Sequence, residues 1–217
     1  MSLKDLFLAG GPVMWPLLLF SIATVAMVIE RSLFWSRLLK TQNAIVRQVI
    51  SLYRSDPSLA IEKLSRHLNL PIPRIFHEAL SLEDADSDEF ALAIDGAIQA
   101  EIPILKRFND FFDLIVGLSP LLGLLGTVTG LMQSFSNLTL GGVDGSKAVG
   151  VTSGISVALI TTAFGLIVAI AAFAVASIFR SFYTRQLALI QENVAEIELL
   201  YRRRQKAFTF NPTESRS

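Results

Sequence analysis

Two apolar stretches of this 217-residue chain carry hydroxyl and amide side chains at helical spacing. The polar residues that could do chemistry are Ser119, Thr127, Ser134 and Asn137 in the first stretch, and Thr161 and Thr162 in the second. Such groups donate and accept hydrogen bonds and can orient water, but they do not titrate near neutral pH. Their chemistry therefore fits the lining of a water-filled channel.

Small residues share the same helical faces. They are Gly123, Gly126 and Gly130 in the first stretch, and Gly154, Ala158 and Gly165 in the second. Because small residues let two membrane helices approach closely, these positions predict helix packing. A buried threonine can also return its hydroxyl to the carbonyl one turn back. Packing inside one bundle and the lining of a channel therefore both remain open for Thr127 and Thr162.

The helices that carry these residues are long enough to cross a membrane, which takes about 20 apolar residues. No charged residue lies between Leu114 and Val143 or between Ala148 and Phe179, and a third charge-free stretch runs from Leu6 to Ile29. A composition of 52% hydrophobic and 18% charged residues is typical of an integral membrane protein. We predict an all-α fold with three transmembrane helices, two of which extend into long cytoplasmic helices.

The distribution of positive charge predicts the orientation in the membrane. Lys and Arg are frequent after the first and third stretches, while the link between the second and third has only Lys147. Because cytoplasmic loops retain Lys and Arg, we predict a periplasmic N-terminus and a cytoplasmic C-terminus. The predicted segments are a periplasmic segment 1–11, a transmembrane helix 12–35, a cytoplasmic helical region 36–112, a transmembrane helix 113–138, a periplasmic loop 139–147, a transmembrane helix 148–179, a cytoplasmic helix 180–207 and a disordered tail 208–217.

Local signals divide the predicted cytoplasmic region into helices. Asp56-Pro57 predicts a helix start, with Asp as the N-cap and Pro at the first helical position. The acidic run from Glu83 to Glu89 predicts a solvated turn that caps the next helix. From Phe90 the apolar spacing predicts a helix that leads directly into the second span. The same spacing after Phe179 predicts that the third span also continues as a helix.

These motifs resemble the MotA/TolQ/ExbB proton channel family, above all its three-span ExbB/TolQ branch. The resemblance rests on GLLGTVTGLMQSF at Gly123–Phe135, GISVALITTAFGLIVAI at Gly154–Ile170 and GPVMWPLLLFSIATVAMVIER at Gly11–Arg31. It implies a proton-channel subunit of a bacterial inner membrane, assembled as a cyclic homo-oligomer that is typically a pentamer. It also implies that Thr127 and Thr162 are the threonines of the proton pathway.

The resemblance further implies a partner similar to ExbD or TolR, a single-span protein with a proton-accepting Asp in its membrane helix. Such a motor uses the proton motive force to energise envelope processes such as TonB-dependent import, which allows a TonB-like protein as a further partner. One position departs from the family pattern, because Val157 stands where well-known members have a Glu. Neither of the last two spans contains an ionisable residue, the usual mark of a proton path. The resemblance therefore assigns the titrating carboxylate to the partner.

Other function classes are disfavoured. The 19 basic and 19 acidic residues leave no charge excess for nucleic acid, and membrane lipid is the expected surrounding. The glycines form no phosphate-binding loop, Cys is absent, and His67 and His77 have only Glu78 nearby as a further possible metal ligand. We therefore predict no enzyme activity, no metal and no cofactor. A small-solute transporter subunit and a non-conducting membrane scaffold remain as alternatives.

Overall fold

The computed structural model of the protein describes residues 3–82, 85–139 and 146–210, except for the side chains of residues 3, 137–139, 146–149 and 207–210. Every regular element among these residues is an α-helix. In chain order they are α1 (Leu3–Ala9), α2 (Met14–Ser55), α3 (Pro57–Ser65), α4 (Pro71–Leu80), α5 (Ser87–Leu105), α6 (Asn109–Thr139) and α7 (Ser146–Phe210). The predicted all-α fold is confirmed, and three helical stretches are long and apolar enough to cross a membrane.

The two predicted helix starts in the region 36–112 are confirmed. The Asp56 carboxylate accepts hydrogen bonds from the backbone N–H groups of Ser58 (2.9 Å) and Leu59 (3.3 Å), which satisfies two free donors at the start of α3. At α5, the Asp86 carboxylate accepts from the N–H groups of Asp88 and Glu89, each at 2.8 Å. The Glu89 carboxylate in turn accepts from the Asp86 N–H at 2.9 Å, which completes a capping box.

The expectation of one helix leading from Phe90 into the second span is wrong. Helix α5 ends at Leu105 and α6 begins at Asn109, and Phe108 between them has a φ of 69°. Pro103 lacks the backbone N–H that would bond one turn back, so the last turn of α5 is already weakened. The helical backbone conformation is therefore interrupted at Phe108, which lies in the left-handed region that non-glycine residues rarely adopt.

Two segment boundaries fall beside parts of the chain that are not described. Helix α6 ends at Thr139 and α7 begins at Ser146, so most of the predicted loop 139–147 lies outside the described residues. Helix α7 ends at Phe210, and the rest of the predicted tail 208–217 also lies outside them. The helix α1, in contrast, forms within the N-terminal segment for which no element was predicted.

The described chain divides into two compact units. The first, here called the apolar unit, comprises residues 1–31 and 108–180. Its α2 begins after a turn at Gly11, whose φ of +69° suits glycine. Around the start of α2, Val13, Met14 and Leu17 form a buried cluster against which Leu122 of α6 and Phe164 of α7 pack. Helices α2, α6 and α7 are thereby held together within this unit.

The second unit, here called the polar unit, comprises residues 32–107 and 181–217. It contains α3, α4 and α5, and a core that includes Trp35, Phe76 and Ile190. Near the end of α7, Tyr201 stacks on Phe90 with ring centroids 3.9 Å apart. The Tyr201 hydroxyl also donates to the carbonyl of Ala85 at 2.6 Å. The last turns of α7 therefore fix the start of α5.

Candidate functional site

The small residues of α6 and α7 face one another and form a close helix–helix contact, here called the seam. A Cβ placed on Gly130 would lie 2.6 Å from the carbonyl oxygen of Gly154. A Cβ on Gly154 would lie 2.5 Å from the carbonyl oxygen of Gly130, and one on Gly165 would lie 3.1 Å from the Cα of Gly123. The two backbones are therefore in direct contact at these positions, which glycine alone permits. The predicted packing residues Gly123, Gly126, Gly130, Gly154, Ala158 and Gly165 all lie in the seam or at its edge.

Three of the predicted pore-lining residues lie inside the seam of a single chain. Thr161 is fully buried and donates to the carbonyls of Val157 (3.0 Å) and Ala158 (3.1 Å). Ser134 is buried and donates to Gly130 of its own helix and to Val151 of α7, both at 3.1 Å. Ser119 is fully buried, and its hydroxyl has no hydrogen-bond partner among the described residues.

Thr127 and Thr162 lie at the rim of the seam and are half-buried. The Thr162 hydroxyl donates across the seam to the carbonyl of Gly123 (3.3 Å) and within α7 to that of Ala158 (3.2 Å). The Thr127 hydroxyl donates to the carbonyl of Leu124 at 2.6 Å. Each hydroxyl thus uses its proton within the chain, and its oxygen lone pairs remain available to accept a hydrogen bond from water.

Both threonines point away from α2. Leu122 and Phe164 pack on the α2 cluster, so they mark the sides of α6 and α7 that face α2. Because successive residues turn by about 100° in an α-helix, Thr127 lies about 140° around α6 from Leu122. By the same count, Thr162 lies about 160° around α7 from Phe164. The α6–α7 pair therefore presents the two threonines together on the face opposite α2, here called the threonine face.

Position 157 has a different environment from the two threonines. A Cβ placed on Gly11 would lie 4.0 Å from the Cγ1 of Val157, so Val157 is directed toward the turn between α1 and α2. It lies five residues before Thr162, which is about 140° around the helix. Because Val157 stands where the family pattern has a Glu, a possible charge is absent from the side of α7 that faces α2. The threonine face is not altered by this difference.

One further polar group, a backbone carbonyl, lies on the threonine face. Pro120 lies inside α6 and offers no N–H, so the carbonyl of Val116 loses its usual partner in the helix. Pro120 is seven residues before Thr127, which places the two within about 20° around the helix axis. The freed carbonyl was predictable from the sequence, because Pro120 and its spacing from Thr127 are both read directly from it.

The remaining predicted residues lie elsewhere. Asn137 belongs to the last turn of α6, but its side chain is outside the described residues. At the other end of α6, Asp113 forms an ion pair with Arg180 of α7, both about half exposed. Phe112 and Phe179 pack beside this pair, with ring centroids 6.1 Å apart. Charged groups thus flank the apolar part of the α6–α7 pair without entering it.

Comparison with known proteins gives consistent matches over most of the chain. The model of the MotA/TolQ/ExbB proton channel family matches residues 67–192. ExbB-like 3 of Synechocystis sp. is 55% identical over 196 residues, which cover 90% of this chain and 93% of that protein. The biopolymer transport protein ExbB of Neisseria meningitidis is 30% identical over 193 residues, covering 79% of this chain and 84% of the relative. The Tol-Pal system protein TolQ of Pseudomonas aeruginosa is 33% identical over 139 residues, covering 64% and 58%.

Proposed function

Because the chain belongs to the MotA/TolQ/ExbB proton channel family, we propose that it is the channel-forming subunit of an ExbB–ExbD-like motor. The family is one of membrane transport proteins and not of enzymes, and the three long apolar helices fit a multi-pass membrane protein. On this proposal the protein resides in a bacterial inner membrane and converts the proton motive force into work on envelope processes, such as TonB-dependent import.

The observation that carries the proposal is the common face of Thr127 and Thr162. A single α6–α7 pair cannot enclose a channel, so several copies must surround a shared axis with this face turned inward. We propose a cyclic homo-oligomer, with a pentamer as the family's usual form. The inward face then offers hydroxyl groups and the Val116 carbonyl to water, while the exposed leucines and phenylalanines elsewhere contact lipid or neighbouring subunits.

The proposed proton acceptor belongs to a partner. No Asp, Glu, Lys, Arg or His occurs in residues 114–143 or 148–179, so this chain has no titrating group in either span. A single-span partner of the ExbD or TolR type, with an Asp in its membrane helix, would supply that group at the axis. One charge moving through the membrane field gains about 2.3 kcal/mol per 100 mV. That energy is comparable to a few side-chain contacts between subunit and partner, so one proton suffices to repack them.

The orientation proposed here follows the positive charge. Arg and Lys flank the ends of the spans at residues 31–40, 106–107 and 180–185, and the opposite ends carry few of them. The N-terminus and the α6–α7 link would therefore be periplasmic, and the polar unit and C-terminus cytoplasmic.

The proposal is tested by replacing the hydroxyls on the threonine face. Thr127→Val and Thr162→Val keep the side-chain shape and remove the group that accepts a hydrogen bond from water. Thr24→Val is the matched control, since the Thr24 hydroxyl is buried in α2 and donates to Phe20 at 2.8 Å. The protein is reconstituted with its single-span partner, and proton flux into vesicles is recorded with a pH-sensitive dye.

We expect both face variants to assemble normally and to lose at least tenfold in proton flux, while Thr24→Val retains it. Unchanged proton flux in Thr162→Val at normal protein level would refute the assignment. A transporter subunit would instead bind a solute without the partner, and a scaffold would show no dependence on a proton gradient.

A further inference from the structure

An ion pair lies where the charge-free stretches of α6 and α7 meet the same end of the apolar unit. Asp113 directly precedes residues 114–143 and Arg180 directly follows residues 148–179. The Arg180 guanidinium donates to the Asp113 carboxylate. We propose that these two residues, here called the charge pair, line the cytoplasmic mouth of the proton path, and that Asp113 sets the charge that protons meet there. The inference rests on the proposed function, in which the threonine face surrounds a water-filled axis.

The charge pair lies on the threonine face by two independent counts. Asp113 is 14 residues from Thr127, which places it within about 40° of that residue around α6. Arg180 is 18 residues from Thr162, or about five full turns, which places the two in line along α7. The charge pair is therefore about 21 Å from Thr127 along α6 and about 27 Å from Thr162 along α7. These lengths approach the thickness of a hydrocarbon core, about 30 Å.

The packing of α6 and α7 agrees with these counts. Leu122 and Phe164 pack on the α2 cluster, and the members of the charge pair lie about 180° and about 160° around the two helices from them. The charged side chains are 54% exposed in α6 and 52% exposed in α7. The neighbouring Phe112 and Phe179 are only 1% and 6% exposed, and their rings lie 6.1 Å apart. The charge pair is therefore directed away from α2, and the two phenylalanines lie in the interior beside it.

In a cyclic assembly, every copy adds one charge pair to the mouth. Rings of Asp or Glu favour cations in channels, and rings of Arg or Lys favour anions. Because the Asp113 carboxylate and the Arg180 guanidinium carry opposite unit charges, the pair adds no net charge to the ring. Loss of the carboxylate would add one positive charge per copy. A cleft lined with one sign of charge shifts the local concentration of ions by about 10–1000-fold, so Asp113 keeps the mouth accessible to protons.

Asp110 provides a matched control position. It is exposed and belongs to the same end of α6, but it lies about 100° around the helix from Thr127 and so outside the threonine face. Its removal changes the charge of the chain by the same unit. An ion pair between half-exposed side chains contributes little to stability, so we expect each variant of the charge pair to fold.

The test measures proton flux in vesicles with a pH-sensitive dye, for the full-length protein reconstituted with its single-span partner. The variants are Asp113→Asn, Arg180→Gln, the double variant with both substitutions, and Asp110→Asn as the control. Each protein is measured at low salt and at 1 M salt. Size-exclusion chromatography establishes that each assembly is intact.

We expect Asp113→Asn to lose about tenfold in proton flux at low salt, and Asp110→Asn to match wild type. Arg180→Gln should conduct at least as well as wild type, and its addition to Asp113→Asn should recover the lost flux. This recovery distinguishes an effect of charge from a proton relay through the carboxylate, because the double variant has no carboxylate at residue 113. At 1 M salt the Debye length falls to about 3 Å, so the loss in Asp113→Asn should become smaller.

Equal flux in Asp113→Asn and Asp110→Asn would overturn the inference, and so would a double variant that conducts no better than Asp113→Asn. If Asp113→Asn does not assemble, Arg180→Gln decides, because a flux below wild type at low salt contradicts the predicted sign. The Thr162→Val variant separates this inference from the proposed function. If Thr162→Val loses flux and Asp113→Asn does not, only the role of the charge pair is wrong. If neither loses flux, the proposed function fails, and this inference fails with it.

Discussion

The close contact between α6 and α7 predicts that Gly130 tolerates no larger side chain. In Gly130→Ala, the new Cβ would lie 2.6 Å from the carbonyl oxygen of Gly154 and 2.9 Å from the amide nitrogen of Ala158. Both neighbours are backbone atoms, so no side chain can rotate aside. Carbon–oxygen contacts across helix interfaces ordinarily measure about 3.3–3.6 Å, so the helices must separate by roughly 0.7 Å or more.

The expected loss of stability follows from three contributions. Overpacking of a tight contact costs about 1–3 kcal/mol. Separation also lengthens the 3.3 Å hydrogen bond from Thr162 to Gly123, and such a bond in a membrane is worth about 0.6 kcal/mol. Alanine offsets up to about 1 kcal/mol through its better helix propensity. With the full offset, we expect a net destabilisation of roughly 0.6–2.6 kcal/mol.

The matched control is Gly117→Ala in the same helix. A Cβ there meets nothing within 4 Å, so this variant should be neutral or more stable by up to about 1 kcal/mol. Unfolding of each full-length protein in mixed micelles, followed by helical circular dichroism at increasing dodecyl sulfate, gives the difference. If Gly130→Ala unfolds at the same detergent fraction as Gly117→Ala, the direct backbone contact inferred at the seam is wrong.

Two further predictions concern the polar unit. Burial raises the pKa of the Glu101 carboxyl above its usual 4.5, and this effect outweighs the lowering of the same pKa by Arg74. Glu101 therefore stabilises the folded state below about pH 4.5, and it loses that contribution as the pH rises through its folded-state pKa. Glu101→Gln should therefore gain thermal stability relative to wild type as the pH rises from 4.5 through the folded-state pKa of Glu101, and parallel pH profiles would contradict this. Asp56→Ala should cost about 1 kcal/mol by removing the cap of α3, while Asp56→Asn should cost much less. Chemical denaturation of the three proteins measures both effects, and equal losses would exclude capping as the cause.

The helix starts were predictable because their causes are local. Asp56 and Asp86 each bond to N–H groups two and three residues ahead, so sequence spacing alone identifies them. The break at Phe108 was missed because apolar periodicity continues across it and no glycine marks the positive φ. Helix α1 was missed because seven residues are too few for a periodic pattern.

The candidate site was only partly predictable for a geometrical reason. A helical repeat places Thr161 and Thr162 on one broad stripe, yet neighbouring residues differ by about 100° around the axis. In the structure this angle separates a threonine buried in the seam from one at its rim. Which of two adjacent residues faces the other helix depends on how α6 and α7 pack, and the stripe of either helix alone does not contain that information.

The composition of the polar unit has a consequence for biosynthesis. The residues of this unit lie on both sides of residues 108–180 in the sequence. The carbonyl of Ala85 accepts a hydrogen bond from Tyr201, which the ribosome adds 116 residues later. In the nascent chain, Phe90 therefore lacks its stacking partner Tyr201 while α6 and α7 are inserted into the bilayer. Folding of this unit can finish only after Tyr201 has been synthesised, so messages truncated before residue 200 should yield products that quality-control proteases remove.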